Sequence, residues 1–439
     1  MRVRVIAVGS QGDVRPYVAL GAGLRAAGHD VRVVTHPGFE DLVRGRGLDF
    51  APVAGDPRDQ ADNRKLRALH DDGRNVFRWW RTFNEVDAPL MRKRLRDCWE
   101  ACPDADVLVV SVLPYLLGYA MAEKLQVPLV RAFYFPVSPT RSYPPDFVPA
   151  WLRLGDRLNL LSYHGQRQVL WQIARPWVAR ACREVLGLEG LPRLEPFGDL
   201  DRRQQLLLYC YSPAVAPPPS DWGSWIDVTG YWFLDRSTDW SPPPALAEFL
   251  ADGPPPVYVG GFGHMTNGDP TALARTVARA LASTGSRAVV LTGWGGLPKE
   301  ELPREIFAVD WVPFDWLFQR VAAVVHHGGA GTTAAGLRAG VPTIVVPFFL
   351  DQFFWGRRVF ELGVGPRPIP RKRLETDTLA AAIRIATTDP DMRGRAAVLG
   401  ARIRTEDGVA RAVASFERHM GRSGERCLPS RSSPGKRPP

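Results

Sequence analysis

The residues best suited to chemistry stand in segment 326–333, HHGGAGTT, where an apolar run gives way to a helical pattern. Glycines let the backbone approach a ligand closely, because they carry no Cβ. Free N–H groups at a helix start and the positive end of its dipole attract anions. His327 adds a polarising donor, and Thr332 and Thr333 add hydroxyls. The segment predicts a diphosphate cradle without a Walker lysine, so ATP hydrolysis is not indicated. A tight turn with a hydrogen-bonded histidine is the alternative.

A carboxylate and an amide stand side by side after another predicted strand. Asp351 and Gln352 follow a buried strand that ends at Pro347. A neighbouring carboxylate and amide suit bidentate hydrogen bonds to sugar hydroxyls. An N-cap role for Asp351 fits equally well. The pair is therefore a candidate sugar-binding site whose structural alternative stays open.

The amino-terminal loop, GSQGDV at 9–14, joins the first strand to the first helix. Asp13 can act there as a general base, or it can cap the helix through its carboxylate. Ser10 and Gly12 complete the loop. A dinucleotide fingerprint is not met, because the third glycine is missing and no acidic residue closes the next strand.

The elements that must position these residues alternate between strands and helices in both halves of the chain. The pattern predicts strands at 3–8, 31–35, 107–111, 128–132, 257–259, 287–292, 321–326 and 343–347. It predicts helices at 16–27, 37–46, 75–101, 115–125, 151–186, 270–283, 331–339, 353–362 and 392–418. This alternation is typical of parallel sheets with crossover helices.

Proline repeats at 217–219 and 242–244 divide the chain. We expect an α/β domain at 1–212, a linker at 213–244, a second α/β domain at 245–420 and a disordered tail at 421–439. The last helix is expected to pack back on the first domain. A cleft between the two domains, at the carboxyl ends of the strands, is the predicted ligand site.

Composition limits the class of protein. The chain has 439 residues and a net charge of +10, nearly all of its positive charge being arginine. Coding bias explains this excess, and attraction to anionic ligands or lipid is the alternative. No basic block resembles a nucleic-acid arm. Five cysteines without a CxxC pair favour reduced thiols, and the amino terminus does not read as a signal peptide. We expect a cytoplasmic protein with peripheral membrane contact at most.

Taken together, the segments resemble the family 1 glycosyltransferases of GT-B fold. They are most similar to the branch of sterol 3β-glucosyltransferases and bacterial antibiotic (natural-product) glycosyltransferases. The resemblance is most specific across 310–370, which contains DWVPFDWLF and ELGVGPRPIP, and GSQGDVRPYV at 9–18 is similar to the branch's amino-terminal signature. It implies an α/β chain of two Rossmann-like domains with parallel sheets facing a central cleft.

The resemblance also implies roles for individual residues. Asp13 matches the acceptor-activating base. The other implied residues bind parts of the nucleotide-sugar donor. They are residues for the phosphates (His327, Gly329, Gly331, Thr332, Thr333), for the nucleobase (Trp311, Val312) and for the sugar hydroxyls (Asp351, Gln352). This sequence departs from the branch at three positions: His264 replaces a serine beside the phosphates, Phe314 a polar residue, and Gln11 an arginine. Ala335 stands where plant-type members have a ribose-binding glutamate, which is normal for this branch and leaves UDP or dTDP open. His264 retains a donor for phosphate.

The resemblance implies an inverting, metal-independent hexosyltransferase that uses UDP- or dTDP-sugar and needs no cofactor. The expected acceptor is a hydroxyl of an apolar natural product such as a polyketide, macrolide or aromatic aglycone. The alternative acceptor is a sterol or hopanoid lipid. Two alternative functions belong to other classes of protein: a nucleotide-sugar epimerase and a catalytically silent helper homologue. The sequence leaves open the sugar, the nucleotide, the acceptor and the oligomeric state.

Overall fold

The computed structural model describes residues 1–56, 90–145, 148, 154–235, 240–260, 262, 270–292, 303–348 and 351–426. These residues form two parallel sheets, one of seven strands and one of five, with helices packed on them. The expectation of two α/β domains with parallel sheets is confirmed. The predicted helical residues 75–89 and 151–153 lie outside the described residues.

The first sheet is built from strands that are apolar and largely buried. Its order is β3-β2-β1-β4-β5-β6-β7, and every neighbouring pair is parallel. Its strands are β1 (Arg2–Ile6), β2 (Asp30–Thr35), β3 (Asp49–Pro52), β4 (Val107–Val110), β5 (Leu129–Phe133), β6 (Leu207–Tyr209) and β7 (Ile226–Val228). Its helices are α1 (Gln11–Ala26), α2 (Glu40–Arg44), α3 (described over 90–101), α4 (Tyr115–Leu125), α5 (Asp156–Leu186) and α6 (Pro196–Arg202).

The second sheet has the order β10-β9-β8-β11-β12 and is also parallel throughout. Its strands are β8 (Val257–Val259), β9 (Ala288–Leu291), β10 (Ile306–Val309), β11 (Ala323–His326) and β12 (Thr343–Val345). The remaining helices are α7 (Pro244–Ala251), α8 (Pro270–Thr284), α9 (Phe314–Leu317), α10 (Ala330–Ala339), α11 (Asp351–Glu361), α12 (Thr376–Thr388), α13 (Pro390–Arg404) and α14 (Gly408–Arg426).

The expected linker at 213–244 is too long. Residues 226–228 form β7, which pairs with β6 through Leu207–Ile226 and Tyr209–Val228. The first domain therefore continues past the first proline repeat. Residues 226–228 form a strand and not a linker because Val228 is buried in the core beside the first sheet. Proline content alone does not predict this burial.

The single helix expected at 392–418 is two helices. Thr405 ends α13, and the Oδ1 atom of Asp407 accepts a hydrogen bond from the Ala410 N–H at 2.9 Å, which caps α14. Gly408 lies so close to the backbone of Gly230 and Tyr231 that a Cβ there would overlap it. The chain turns at this point because only glycine fits against that backbone.

Helix α14 packs on α1 of the first domain. Phe416 is buried in the same core as Val14 and Leu24, and a Cβ on Gly23 would lie 2.5 Å from the Val409 side chain. The hydroxyl of Ser212 also donates to Glu406 at 2.7 Å. Helix α14 and the turn before it thus fix the two domains to each other, and because α14 runs to Arg426, residues 421–426 of the expected disordered tail are helical.

Phe416→Ala is expected to lower the free energy of unfolding by about 3–5 kcal/mol, because it empties a buried aromatic site. Urea denaturation measures this change. Val398→Ala, at a mostly exposed position on α13, is the control and should change stability little. Equal effects of the two substitutions would contradict the described packing of α14.

Candidate active site

Asp13 lies in the first turn of α1, which begins five residues earlier than the sequence pattern predicts. The carboxylate Oδ2 of Asp13 accepts hydrogen bonds from the Ser10 N–H at 2.7 Å and the Ser10 hydroxyl at 2.8 Å. This reciprocal capping starts the helix at Gln11 and leaves Pro16 inside it. Asp13 therefore has a structural role. Both of these hydrogen bonds use its Oδ2 atom, and neither uses Oδ1.

Gly9 makes room for that carboxylate. Its φ is +133°, and a Cβ there would lie 2.5 Å from the Oδ2 atom of Asp13. The Gly9 N–H donates to Nε2 of buried His36 at 3.1 Å, and Nδ1 of His36 lies 3.2 Å from the Val53 carbonyl. Since a carbonyl only accepts, the proton of His36 is on Nδ1. His36 thus fixes the loop that carries Asp13, a role that the sequence analysis missed.

Tyr134, which follows β5, is a second residue that the sequence analysis missed. Its phenol donates a hydrogen bond to the Asp13 carboxylate. Burial raises the pKa of Asp13, and the hydrogen bonds from Tyr134 and Ser10 offset part of this rise. The pKa of Tyr134 lies well above its ordinary value because of burial, then Asp13, then Asp351. Tyr134 therefore lies within electrostatic reach of both predicted carboxylates.

The bend after β11 is built around Gly328. Its φ is +93°, and its N–H donates to Nδ1 of buried His326 at 2.9 Å. A Cβ on Gly328 would lie 2.6 Å from Val345 and 3.1 Å from the carbonyl oxygen of Gln352. The position accepts only glycine without rearrangement, since both the backbone angle and the space exclude a side chain.

His327 lies directly in this bend. A Cβ on Gly329 would overlap Nε2 of His327, so this corner of the imidazole lies directly beside the start of α10. Its Nδ1 is buried and has no hydrogen-bond partner among the described residues. Burial lowers the pKa of His327 to about 4, so the ring is neutral at pH 7. A neutral imidazole carries one N–H donor, which suits a ligand oxygen.

The two threonines of the bend differ in their surroundings. Thr333 is buried, and its hydroxyl donates to the Gly329 carbonyl at 2.9 Å. Its only proton is therefore already used inside the helix. Thr332 is half-buried at the helix start. Of the pair, Thr332 is the better placed donor to a ligand.

The starts of α1 and α10 meet across the two domains. A Cβ built on Gly331 would lie 3.7 Å from the Cα atom of Gly12, which precedes Asp13. Two helix amino termini, each with free N–H groups and a positive dipole end, thus converge on one region. The structure brings Asp13 and the bend at His327 to the same cleft.

Helix α11 presents Asp351 and Gln352 at its start. Gln352 is almost fully buried, and its Oε1 accepts from the Phe348 N–H at 2.8 Å. Asp351 is half-buried and lies near Tyr134. The charge of Asp351 thus acts on Tyr134, whereas the amide carbonyl of Gln352 holds the preceding loop.

Residues predicted to contact a nucleobase follow β10. Trp311 is 53% exposed and contacts Trp240 edge to face at 6.4 Å, which leaves one indole surface free to stack. Val312 is buried beside it. Phe314 stacks on Phe318 at 4.5 Å, so its ring belongs to the core of the second domain. His264 lies outside the described residues.

Both halves of the chain are similar to domains of known glycosyltransferases. Residues 3–144 match the glycosyltransferase family 28 N-terminal domain, and residues 290–411 match the erythromycin biosynthesis protein CIII-like C-terminal domain. Sterol 3-beta-glucosyltransferase of Aspergillus fumigatus is 40% identical over 96% of this chain, and that of Cryptococcus neoformans is 37% identical over 96%. The chain has the GT-B fold, and its two halves are similar to glycosyltransferase domains. It spans about 30% of the length of the Aspergillus relative.

Solved structures of antibiotic glycosyltransferases share the fold of this chain. The kitacinnamycin enzyme is 22% identical with a TM-score of 0.67, covering 95% of this chain and 98% of its own. SsfS6 of Streptomyces sp. SF2575, solved with thymidine diphosphate, is 21% identical with a TM-score of 0.58, covering 95% and 99%. These likenesses extend over both domains and establish the architecture.

The described ranges hold neither a cluster of metal ligands nor a membrane-spanning helix. Within them, no three side chains of the types His, Cys, Asp and Glu come together as a metal site. Across the same ranges, no helix is both long and apolar enough to cross a bilayer.

Gly328→Ala is expected to weaken nucleoside-diphosphate binding by tenfold or more, because the bend must move to admit the methyl group. Calorimetry with UDP and dTDP measures the loss. Gly285→Ala is the matched control, since Gly285 also has a positive φ of 62° but open space around it. Unchanged binding in Gly328→Ala would contradict the role of the bend.

Proposed function

We propose that this chain transfers a hexose, with inversion, from a nucleoside-diphosphate sugar to the hydroxyl of a sterol-like lipid. The observation that carries the proposal is the approach of Gly12 to Gly331, which sets Asp13 opposite the bend at His327. The sterol activity of the curated relatives favours the lipid acceptor over the polyketide or macrolide expected first. The antibiotic glycosyltransferases share the architecture at 22% identity or less, which supports the fold alone.

Asp13 is the proposed general base. Its carboxylate accepts the proton of the acceptor hydroxyl while that oxygen attacks the anomeric carbon from the face opposite the diphosphate. Tyr134 keeps the carboxylate oriented through its hydrogen bond. A single displacement of this kind breaks the bond between the anomeric carbon and the phosphate oxygen, and inverts the configuration.

Negative charge that develops on the leaving diphosphate is stabilised by groups fixed in advance. These groups are the amino terminus of α10, the imidazole N–H of His327 and the hydroxyl of Thr332. Together they supply the charge stabilisation that a divalent metal provides in other transferases. We therefore propose that transfer requires neither a metal nor a cofactor.

Paired acceptor assays test the proposal. UDP-glucose and dTDP-glucose are each offered with a sterol and, separately, with a macrolide aglycone, in buffer containing a chelator. The proposal expects sterol glucoside that forms in the presence of the chelator. Transfer to the macrolide alone would overturn the lipid acceptor, and an epimerised donor without transfer would overturn the transferase reaction.

The pH dependence of transfer gives a further prediction. Because the pKa of Asp13 is raised, activity should fall on acidification at a pH above the ordinary aspartate value of about 3.9. Tyr134→Phe removes a hydrogen bond that lowers this pKa, so the fall should move to higher pH. Initial rates across the pH range measure it, with Tyr119→Phe as control. An unmoved profile in Tyr134→Phe would contradict the contact.

A further inference from the structure

We propose that the outer face of α5 docks on an anionic lipid bilayer. This outer face consists of Leu158, Leu161, Gly165 and Val169 on the helix, together with Leu194 beside it. The three aliphatic side chains of the helix and Leu194 are each more than half exposed. The proposed function supplies the reason for docking, since lipid acceptors reside in membranes. The structural observations below do not depend on that function.

The spacing of the helical residues places them on one side of α5. Steps of three, four and four residues from Leu158 to Val169 follow the repeat of an α-helix. The side chains of Gln168 and Gln172 donate to the Arg193 carbonyl at 3.1 and 2.7 Å. These bonds bring exposed Leu194 to the same surface. An apolar row on an exposed helix is typical of an interaction site.

Positive charge continues this surface toward the end of α5. A surface cavity of about 440 Å³ is lined by Arg175, Arg180, Arg183 and Glu184, with Pro176 and Ala179. Glu184 is shared between Arg180 at 2.9 Å and Arg92 at 2.8 Å. The cavity therefore keeps a net positive charge. Its guanidinium groups suit the phosphate of a lipid headgroup, while the leucines suit the adjoining acyl layer.

The inner side of the same helix is tied to the cleft. Asn159 donates from its amide to the Arg141 carbonyl at 2.9 Å, and buried Arg167 donates to the Val137 carbonyl at 2.9 Å. The segment held in this way, 134–145, begins with Tyr134 beside Asp13. Helix α5 thus joins an apolar, basic outer surface to the acceptor side of the site, which favours a membrane over a soluble partner protein.

Co-sedimentation of the full chain with vesicles tests the docking. The probes are vesicles of phosphatidylcholine alone and of phosphatidylcholine mixed with phosphatidylglycerol. We expect binding to the anionic vesicles that Leu161→Glu/Val169→Glu abolishes. Arg180→Glu/Arg183→Glu should weaken it about twentyfold or more, since each arginine near such a surface contributes roughly fivefold. Circular dichroism melting verifies that the variants fold.

Val398→Glu and Arg393→Glu on α13 are matched controls, because Val398 is an exposed aliphatic residue and Arg393 an exposed arginine on another helix. Equal losses in these controls, or wild-type binding that phosphatidylglycerol does not increase, would overturn the docking. A change of oligomeric state in Leu161→Glu/Val169→Glu would assign the face to a second copy instead. Because vesicle binding is read without any transfer assay, failure of the proposed reaction leaves this test intact.

Discussion

Asp13→Asn is expected to lower the rate of sugar transfer by roughly 10²–10⁴-fold, the contribution of a positioned general base. Asparagine keeps the size of the side chain and an acceptor oxygen for the Ser10 N–H, so the start of α1 should persist. What is lost is the charge that accepts the proton of the acceptor hydroxyl. Binding of UDP or dTDP should change little, because the bend lies on the other domain.

Initial rates at saturating donor and calorimetry of nucleotide binding measure the two effects separately. Asp377→Asn is the matched control, since Asp377 occupies the first turn of α12 as Asp13 occupies that of α1. Ser10→Ala removes a donor to the carboxylate but keeps the base, and should cost far less. A variant Asp13→Asn that kept most of its activity would show that another group accepts the proton.

His327→Ala is expected to lower kcat by on the order of 10²-fold or more, the usual cost of losing one preorganised donor to a developing charge. His327 is half-buried beside the start of α10, and its buried Nδ1 lacks a partner among the described residues. Its neutral state gives it a directed N–H without requiring protonation. Nucleoside diphosphate should also bind more weakly, whereas the free nucleoside should be affected less.

Steady-state kinetics and calorimetry with UDP and uridine distinguish these effects. His164→Ala, at an exposed position on α5, is the control. Equal weakening of UDP and uridine would indicate a general disturbance of the second domain. Unchanged kcat in His327→Ala would remove this histidine from the diphosphate site.

The sequence predicts eight of the twelve described strands, because these are short, continuous apolar runs, and it misses β3, β6, β7 and β10. It also predicts that Asp13 and segment 326–333 share a cleft, since both follow central strands, β1 and β11, at their carboxyl ends. Helix ends were harder to predict. The start of α1 depends on the reciprocal bonds of Ser10 and Asp13, which a periodicity of apolar residues does not contain.

Partners that arise only from tertiary contacts were not predictable. Tyr134 stands more than a hundred positions after Asp13, and nothing in its neighbourhood marks it as a contact of that residue. His36 is similar, because its ring bridges Gly9 and Val53 from separate parts of the chain. The hydrogen bond from the Thr333 hydroxyl to the Gly329 carbonyl was likewise not predictable, because it depends on where helix α10 begins.

The acceptor was also beyond the sequence pattern, since acceptor sites are formed by variable loops. The expectation of a polyketide or macrolide came from family resemblance, and the relatives at 40% identity moved the proposal to sterol-like lipids. The exposed leucines of α5 agree with a lipid acceptor. The sequence did not show that these leucines are exposed, because their exposure depends on which face of the helix is covered by the rest of the protein.

The central claim is that the bend at His327 holds the diphosphate opposite Asp13. A crystal structure of the chain with bound UDP tests it most directly. We expect the diphosphate at the amino terminus of α10, with oxygens within hydrogen-bond distance of the imidazole of His327 and the backbone N–H groups of Gly331 and Thr332. Clear density for UDP elsewhere, with the bend empty, would contradict the account.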